Sequence, residues 1–326
     1  MIPGREFLER CSTDTGFRVA ALEKVVRLGE VMGAIGSHPL LSTTLALKGG
    51  TALNLAFGPP TRLSVDLDFN YVGSTDRQEM LEAKPGIEAT VVTLGRRLGY
   101  SVQLSADEFA GRKVYLNYRS VLGPTDRIEV DLNYLMRQPI GAPRVGTLWQ
   151  PGGLDEPGTL LVSPMELAIG KFLALLDRGA VRDVWDAANL PQALVEVVHA
   201  ESFRQWFVAM AAILPNPLAN YTRARLDNRM TTATIDEQLL PMLAGGNPSD
   251  PATLVERAWS VVAPFLHLRG NEAAYHDAFS VGDLRADLLF GTDGTSSATL
   301  EAHPAIRWRL QNIRGYLEKT SRKRLD

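Results

Sequence analysis

Residues 63–69, LSVDLDF, alternate Leu63, Val65, Leu67 and Phe69 with Ser64, Asp66 and Asp68. A period of two marks a half-buried strand, so one face must meet an apolar core while the other carries two carboxylates. The run RIEVDLNYL, residues 127–135, repeats the pattern with Ile128, Val130, Leu132 and Tyr134 set against Glu129, Asp131 and Asn133. YSVQLS and RKVYLNYRSV precede it as further strand-like runs, and LGPTD supplies a turn between the last two. A sheet with one greasy and one acidic face is the expected centre of the first 150 residues.

Helical spacing surrounds these strands. FRVAALEKVVRLGEVMGAI, residues 17–35, and a stretch around 77–98 read as helices, while LSTTLALKGG reads as a short buried strand ending at glycines, followed by a helix over Thr51–Phe57. The proline- and glycine-rich loop QPGGLDEPG, residues 150–158, marks a domain boundary, giving an α+β domain over 1–150 and a helical domain over 151–326. The second opens with SPMELAIGKFLALLDRG. There Ser163 fits the N-cap, Pro164 the first helical position, Glu166 a capping box and Gly179 the stop. RDVWDAANLPQALVEVV and helices around 201–213, 253–268 and 303–320 follow, with GGNPSDP as an internal loop.

Composition narrows the chemistry. The single cysteine, Cys11, excludes an internal disulfide and a cysteine-rich zinc site, and the five histidines form no ligand pair, so any metal needs oxygen ligands. The formal charge of -3 gives no global nucleic-acid footprint; RNA contacts would come from local patches. The polar start and the absence of a long apolar run predict a cytoplasmic chain without a membrane partner.

On a strand, Asp66 and Asp68 point the same way with carboxylates roughly 7 Å apart. That suits a divalent cation shared with substrate phosphates, and it equally suits a solvated strand face. Asp131 offers a third carboxylate from a neighbouring strand. Gly49, Gly50 and Thr51 stand between a strand and a helix, where backbone N–H groups can approach a phosphate, although such a turn also needs glycine for steric reasons alone. Lys171 lies on an otherwise apolar helix face and is expected to snorkel outward or to meet phosphate. Arg178, two turns on, can point to the same cleft, and Arg182, Asp183 and Asp186 follow closely. Ordinary surface ion pairs are the competing account of that charged run.

In order and spacing, LKGGTAL, the R.S.DLDF string (Arg62, Ser64, Asp66, Asp68), IEVDL and the string of Glu166, Lys171, Arg178, Arg182, Asp183 and Asp186 resemble the AbiEii/AbiGii family of nucleotidyltransferase toxins, which includes the mycobacterial MenT toxins. The resemblance covers about residues 45–190. It implies a polymerase-β-like nucleotidyltransferase core with a mixed sheet, followed by an all-helical domain. In that frame Gly49, Gly50, Thr51 and Ser64 belong to the nucleotide site. Asp66 and Asp68, with Asp131 carried from the wider fold, hold Mg²⁺ or Mn²⁺; Lys171, Arg178 and Arg182 face the NTP. The family's later aspartate matches Asp186 best, with Asp183 as the other candidate. Some relatives transfer nucleotides to the tRNA 3′ end and are encoded beside an antitoxin, so tRNA or another RNA and a cognate antitoxin are the expected partners. The rival functions are nucleotidylation of a protein hydroxyl and a non-catalytic nucleotide-sensing module. A phosphoryl group on Ser64 would set negative charge beside the metal site, whereas a small residue needed for room is the plainer account. For RNA, Arg223, Arg225 and Arg229 with Tyr221, and the basic tail from Pro304 onward, are modest candidate patches.

Overall fold

The computed structural model describes residues 2–245 and 250–322. The centre of the expected GGNPSDP loop and the last four residues of the basic tail lie outside them. In chain order the elements are α1 (Arg5–Thr15), α2 (Val19–Gly36), α3 (Leu41–Thr44), β1 (Leu45–Lys48), α4 (Gly49–Leu55), β2 (Asp66–Tyr71), α5 (Arg77–Arg97), β3 (Ser101–Leu104), β4 (Gly111–Arg119), β5 (Thr125–Asn133), β6 (Arg144–Thr147) and β7 (Gly158–Leu161). The helical half follows with α6 (Pro164–Asp177), α7 (Val181–Ala188), α8 (Gln192–Val198), α9 (Glu201–Ala211), α10 (Arg223–Asp227), α11 (Thr232–Gln238), α12 (Pro251–Val262), α13 (Gly270–Ser280), α14 (Asp287–Phe290), α15 (Gly294–Ala302) and α16 (Pro304–Arg322).

The sheet is mixed, in the order β3-β4-β5-β2-β1-β7-β6. β2 runs antiparallel to β1 and parallel to β5, in a register that sets Asp66 beside Glu129 and Asp68 beside Asp131. The period-two pattern therefore works as expected. Leu67, Phe69, Ile128, Val130 and Leu132 are fully buried and the acidic positions between them are partly open. Helices α2 and α5 cover the apolar face, and α4 bridges from the sheet to α6.

Three sequence expectations shift. The paired part of β2 begins at Asp66, and Ser64 and Val65 lie in the extended approach to it, where Arg62 makes an isolated bridge with Leu243. Leu41–Thr44 is a helical turn rather than strand. β6 and β7 flank the proline- and glycine-rich loop, so the sheet runs past the boundary expected at residue 150. Both strands are four residues long and β6 is an exposed edge, which leaves too little alternation to read.

In the helical half, Phe172 of α6 packs against Phe203, Phe207 and Phe265 with ring centroids 5.6, 6.0 and 5.9 Å away. Arg204 on α9 forms a buried two-pronged pair with Glu272 on α13, both contacts at 2.6 Å. The Phe172 contacts anchor α6, which carries Lys171 on the cavity lining.

Candidate active site

The turn between β1 and α4 shows why glycine is required there. Gly49 adopts φ of +74°, and a Cβ on it would lie 2.3 Å from Asp68 Oδ2; a Cβ on Gly50 would lie 2.7 Å from Ser64 Oγ. The pair lets the first turn of α4 press against the acidic strand. Thr51, expected at the nucleotide, is fully buried, and its hydroxyl donates to the Asp66 carbonyl at 2.5 Å, so its side chain braces β2 instead.

Beyond that turn opens a cavity of about 350 Å³ between the sheet and the helical half. Asp66, Asp68, Glu129 and Asp131 form one wall, and Lys171, Arg178 and Arg182 the other, with Gly50 and Ser64 between them. Ser64 is nearly buried, so its hydroxyl is reached only through the cavity. Burial pushes Asp66 up from the ordinary carboxylate range, against the pull of Arg182, whose Nη1 stands 3.5 Å from Oδ2. Burial likewise raises Asp131, opposed by Lys113, whose Nζ lies 3.6 Å from it while bonding Glu129. The acidic wall is only partly neutralised by the protein itself.

Asp186 differs. It is wholly buried, accepts from Arg62 Nε and Nη2 at 2.9 Å each, from Lys171 Nζ at 2.6 Å and from Asn54 Nδ2 at 3.2 Å. Burial pushes its carboxyl up, but Arg62 and Lys171 outweigh that and hold it below its usual value. Asp186 is expected among the catalytic groups as the residue that orients the cations, and its contacts with Lys171 and Arg62 have that form. Asp183, the other candidate, is also buried and takes Arg178 Nε and Nη2 at 2.6 and 2.9 Å; that contact raises Arg178 and fixes its direction.

A second, more apolar chamber of about 220 Å³ adjoins the first, sharing Gly50, Asp68, Lys171 and Arg178 with it. Its walls include Met136, Ile140 and Leu173, and at its floor Glu166 accepts from Asn70 Nδ2 at 2.8 Å and from the Ile140 N–H at 2.9 Å. Burial pushes Glu166 up to about 7. Ser163 caps α6 as expected, accepting from the Glu166 N–H at 3.1 Å, but the Glu166 side chain leaves the capping box unclosed in favour of these partners.

Among the described residues, no three acidic, histidine or cysteine side chains converge closely enough to clasp a metal unaided. The three-carboxylate set of Asp66, Asp68 and Asp131 is therefore not a preformed cage. Its chemistry still fits Mg²⁺, which keeps several waters and takes one or two carboxylates together with substrate phosphates. Under-neutralised oxygen donors facing a basic wall are the arrangement such a shared cation needs.

A family model for the nucleotidyl transferase AbiEii toxin of type IV toxin–antitoxin systems matches residues 31–263. The chain belongs to the AbiEii family. Its fold is also that of a solved relative: MenT4, a nucleotidyltransferase toxin from Mycobacterium tuberculosis H37Rv, superposes with a TM-score of 0.56 at 18% identity, over 92% of this chain and 98% of that one. At such identity the likeness concerns fold alone. No significant match is found among curated proteins. The AbiEii match spans both walls of the cavity, from β1 through α7, and includes every site residue named above.

Sequence reasoning missed Asn54, Lys48 and Lys113, and gave Arg62 no role. Lys113 alternates correctly along β4, but its place opposite Asp131 follows only from the antiparallel register. Lys48, which stands beside Asp68 across β1 and β2, needs the register too. Arg62 sits in a loop after two prolines and carries no periodic signal at all.

Proposed function

We propose that this AbiEii-family protein transfers a nucleotide from an NTP to an RNA acceptor, with the tRNA 3′ end as the expected target and arrest of translation as the outcome. One observation carries this: four carboxylates on two adjacent strands face Lys171, Arg178 and Arg182 across a single cavity. Such opposed banks of charge suit a polyanionic substrate that arrives with a cation.

Asp66 and Asp68, with Asp131 completing the set, would hold Mg²⁺, which when bound neutralises the triphosphate and the departing pyrophosphate. Lys171 spends one of its three donors on Asp186 and keeps two for phosphate oxygens. Arg178 and Arg182 remain open enough to the cavity to add charge-assisted bonds. The apolar chamber is the natural seat for the nucleobase, leaving the α-phosphorus near the strand carboxylates. There Asp131 accepts the proton of the attacking RNA hydroxyl, a P–O bond forms to that oxygen, and the bond to pyrophosphate breaks. Catalysis of this kind is mostly positioning and charge compensation. The cytosol, where NTPs and tRNA meet, is the expected compartment, and no helix among the described residues is long and apolar enough to cross a membrane. Family membership implies an antitoxin partner.

The test is to incubate purified protein with each α-labelled NTP, Mg²⁺ and total tRNA, then to resolve the products on a gel. Label on RNA supports the proposal. Label on protein would favour nucleotidylation of a protein hydroxyl, and no label under any NTP would favour a non-catalytic sensor. Asp66→Ala should abolish transfer without loss of the folded state.

A further inference from the structure

The basic tail singled out in the sequence forms part of a third cavity, larger than the two above, that the nucleotide site does not use. A groove of about 550 Å³ runs between α16, the start of α5 and the chain that leaves β5. Arg77, Arg137 and Arg307 line it together with Phe109, Trp308 and Gln311. Among the described residues no carboxylate comes within ion-pair distance of any of these three arginines. Arg137 is buried, donating to the carbonyls of Thr75 at 3.0 Å and Tyr134 at 3.1 Å. Burial lowers its affinity for a proton, and Arg77 and Arg307 lower it further, while Asp76 opposes them. Asp76 is the one acidic lining residue, and its Oδ1 is already committed to the N–H groups of Gln78 and Glu79 at 2.7 and 2.9 Å. Three clustered cations facing one capped carboxylate make a groove short of negative charge.

Its aromatic groups are equally out of place for a solvated surface. Trp308 is 51% exposed and Phe109 42% exposed, although both are large and apolar. The Arg77 guanidinium lies over the Phe109 ring, 5.1 Å from its centroid, so a cation and an aromatic ring stand together at the groove wall. Planar side chains beside unpaired cations are the means by which single-stranded nucleic acid is held: bases stack while the backbone is neutralised.

The groove is tied to the chemistry by the chain itself. Asn133, last residue of β5, accepts from the N–H groups of Leu135 and Met136 at 2.9 and 2.8 Å, fixing the turn. Met136 then faces the apolar chamber of the active site, while Leu135 and Arg137 face the groove. Arg137 lies six positions after Asp131, at most about 22 Å along the chain.

We infer that this groove holds the single-stranded part of the RNA acceptor, with Trp308 and the Arg77–Phe109 pair as stacking surfaces and Arg307 and Arg137 as phosphate contacts, delivering its end to Asp131. The inference rests on the RNA-transfer reading and locates the strand within it. Trp308→Ala, and separately the double variant Arg77→Ala with Arg307→Ala, alter exposed side chains and should leave the melting temperature unchanged. Each should raise the apparent KM for tRNA about ten-fold while the KM for NTP stays put. The double variant should also lose about 0.7 units from the slope of log affinity against log salt, the single-strand figure for the one phosphate contact, Arg307, that it removes. An unchanged KM for tRNA, or a KM for NTP that rises in step, would overturn the assignment.

A binding measurement separates this from failure of the transfer reading. Tryptophan quenching by a short single-stranded oligoribonucleotide is read on wild type and on Trp308→Phe. Quenching that is present in wild type and reduced at Trp308 supports the groove even if wild type labels no tRNA. Equal quenching in both, or variants that bind RNA normally but escape neutralisation by a protein antitoxin, would assign the groove elsewhere.

Discussion

Asp186 and Asp66 line the same cavity, yet the fold treats them in opposite ways. Asp186 is enclosed and meets Arg62, Lys171 and Asn54, so its charge is fully answered within the protein. Asp66 is half-exposed, stands among other carboxylates, and has a single arginine contact, with Arg182 at 3.5 Å. The first kind of aspartate belongs to the architecture. The second keeps a charge that, in the proposed function, substrate and cation would answer. Two identical residues on one cavity lining thus stand in opposite electrostatic states: Asp186 is buried with its partners, and Asp66 keeps the exposure that the proposed function requires.

The largest effect follows from breaking the answered cluster. Asp186→Ala would leave Arg62 and Lys171 buried without their counter-charge, at a cost of about 3–5 kcal/mol. Chemical or thermal unfolding should report it, and transfer should vanish because Lys171 loses its aim. If Asp186→Ala melts like wild type, the contrast between the two aspartates fails.

Next comes Asp66→Asn, which should lower transfer by roughly 10²–10³-fold or more with no loss of stability. Removing a carboxylate whose ionisation the fold disfavours relieves repulsion from Asp68 and Glu129. A stability drop as large as that of Asp186→Ala would show that Asp66 is structural after all.

The pH dependence sharpens the same contrast. Asp66 and Asp131 are raised by burial, so they retain protons to higher pH than ordinary carboxylates, and the acid limb of transfer should be displaced upward from where ordinary aspartates would set it. Glu166 adds a stability signature. Its folded value of about 7 exceeds the ordinary 4.5, so the folded state binds the proton more tightly. Stability from this group is complete below about pH 4.5 and is lost as pH rises toward 7. Melting temperature should therefore fall across that window. Glu166→Gln should flatten the slope, whatever it does to the absolute value.

How much of this was legible beforehand depends on range. The acidic strand, its partner strand and the capped α6 were readable because period two and capping chemistry are local. The family motif strings carried Asp186 and Lys171 into the site, with Asp186 expected to orient the cations and Lys171 to face the triphosphate, but not the partners that Asp186 shares with Lys171. Arg62 and Asp186 are 124 positions apart in sequence, and nothing short of the folded chain reveals that they meet. Thr51 misled for a related reason: a threonine after two glycines looks like a phosphate ligand, while the hydroxyl is already taken by the carbonyl of Asp66, fifteen residues on. β6 and β7 escaped because two four-residue strands beside a glycine-rich loop give the pattern no length in which to show itself.

The smallest expected effect concerns Lys113. It bonds Glu129 and stands 3.6 Å from Asp131, so it offers the acidic wall a resident cation where Mg²⁺ would otherwise compete. The pair is partly open to solvent, and its loss should cost no more than about 1 kcal/mol. Lys113→Ala should thus melt almost as wild type does. It should, however, lower the Mg²⁺ concentration that gives half-maximal transfer, because Asp131 no longer has a built-in counter-ion. A Mg²⁺ requirement that rises instead would mean that Lys113 helps to bind the triphosphate. In that case the acidic wall, like Asp186, would depend on a partner supplied by the protein.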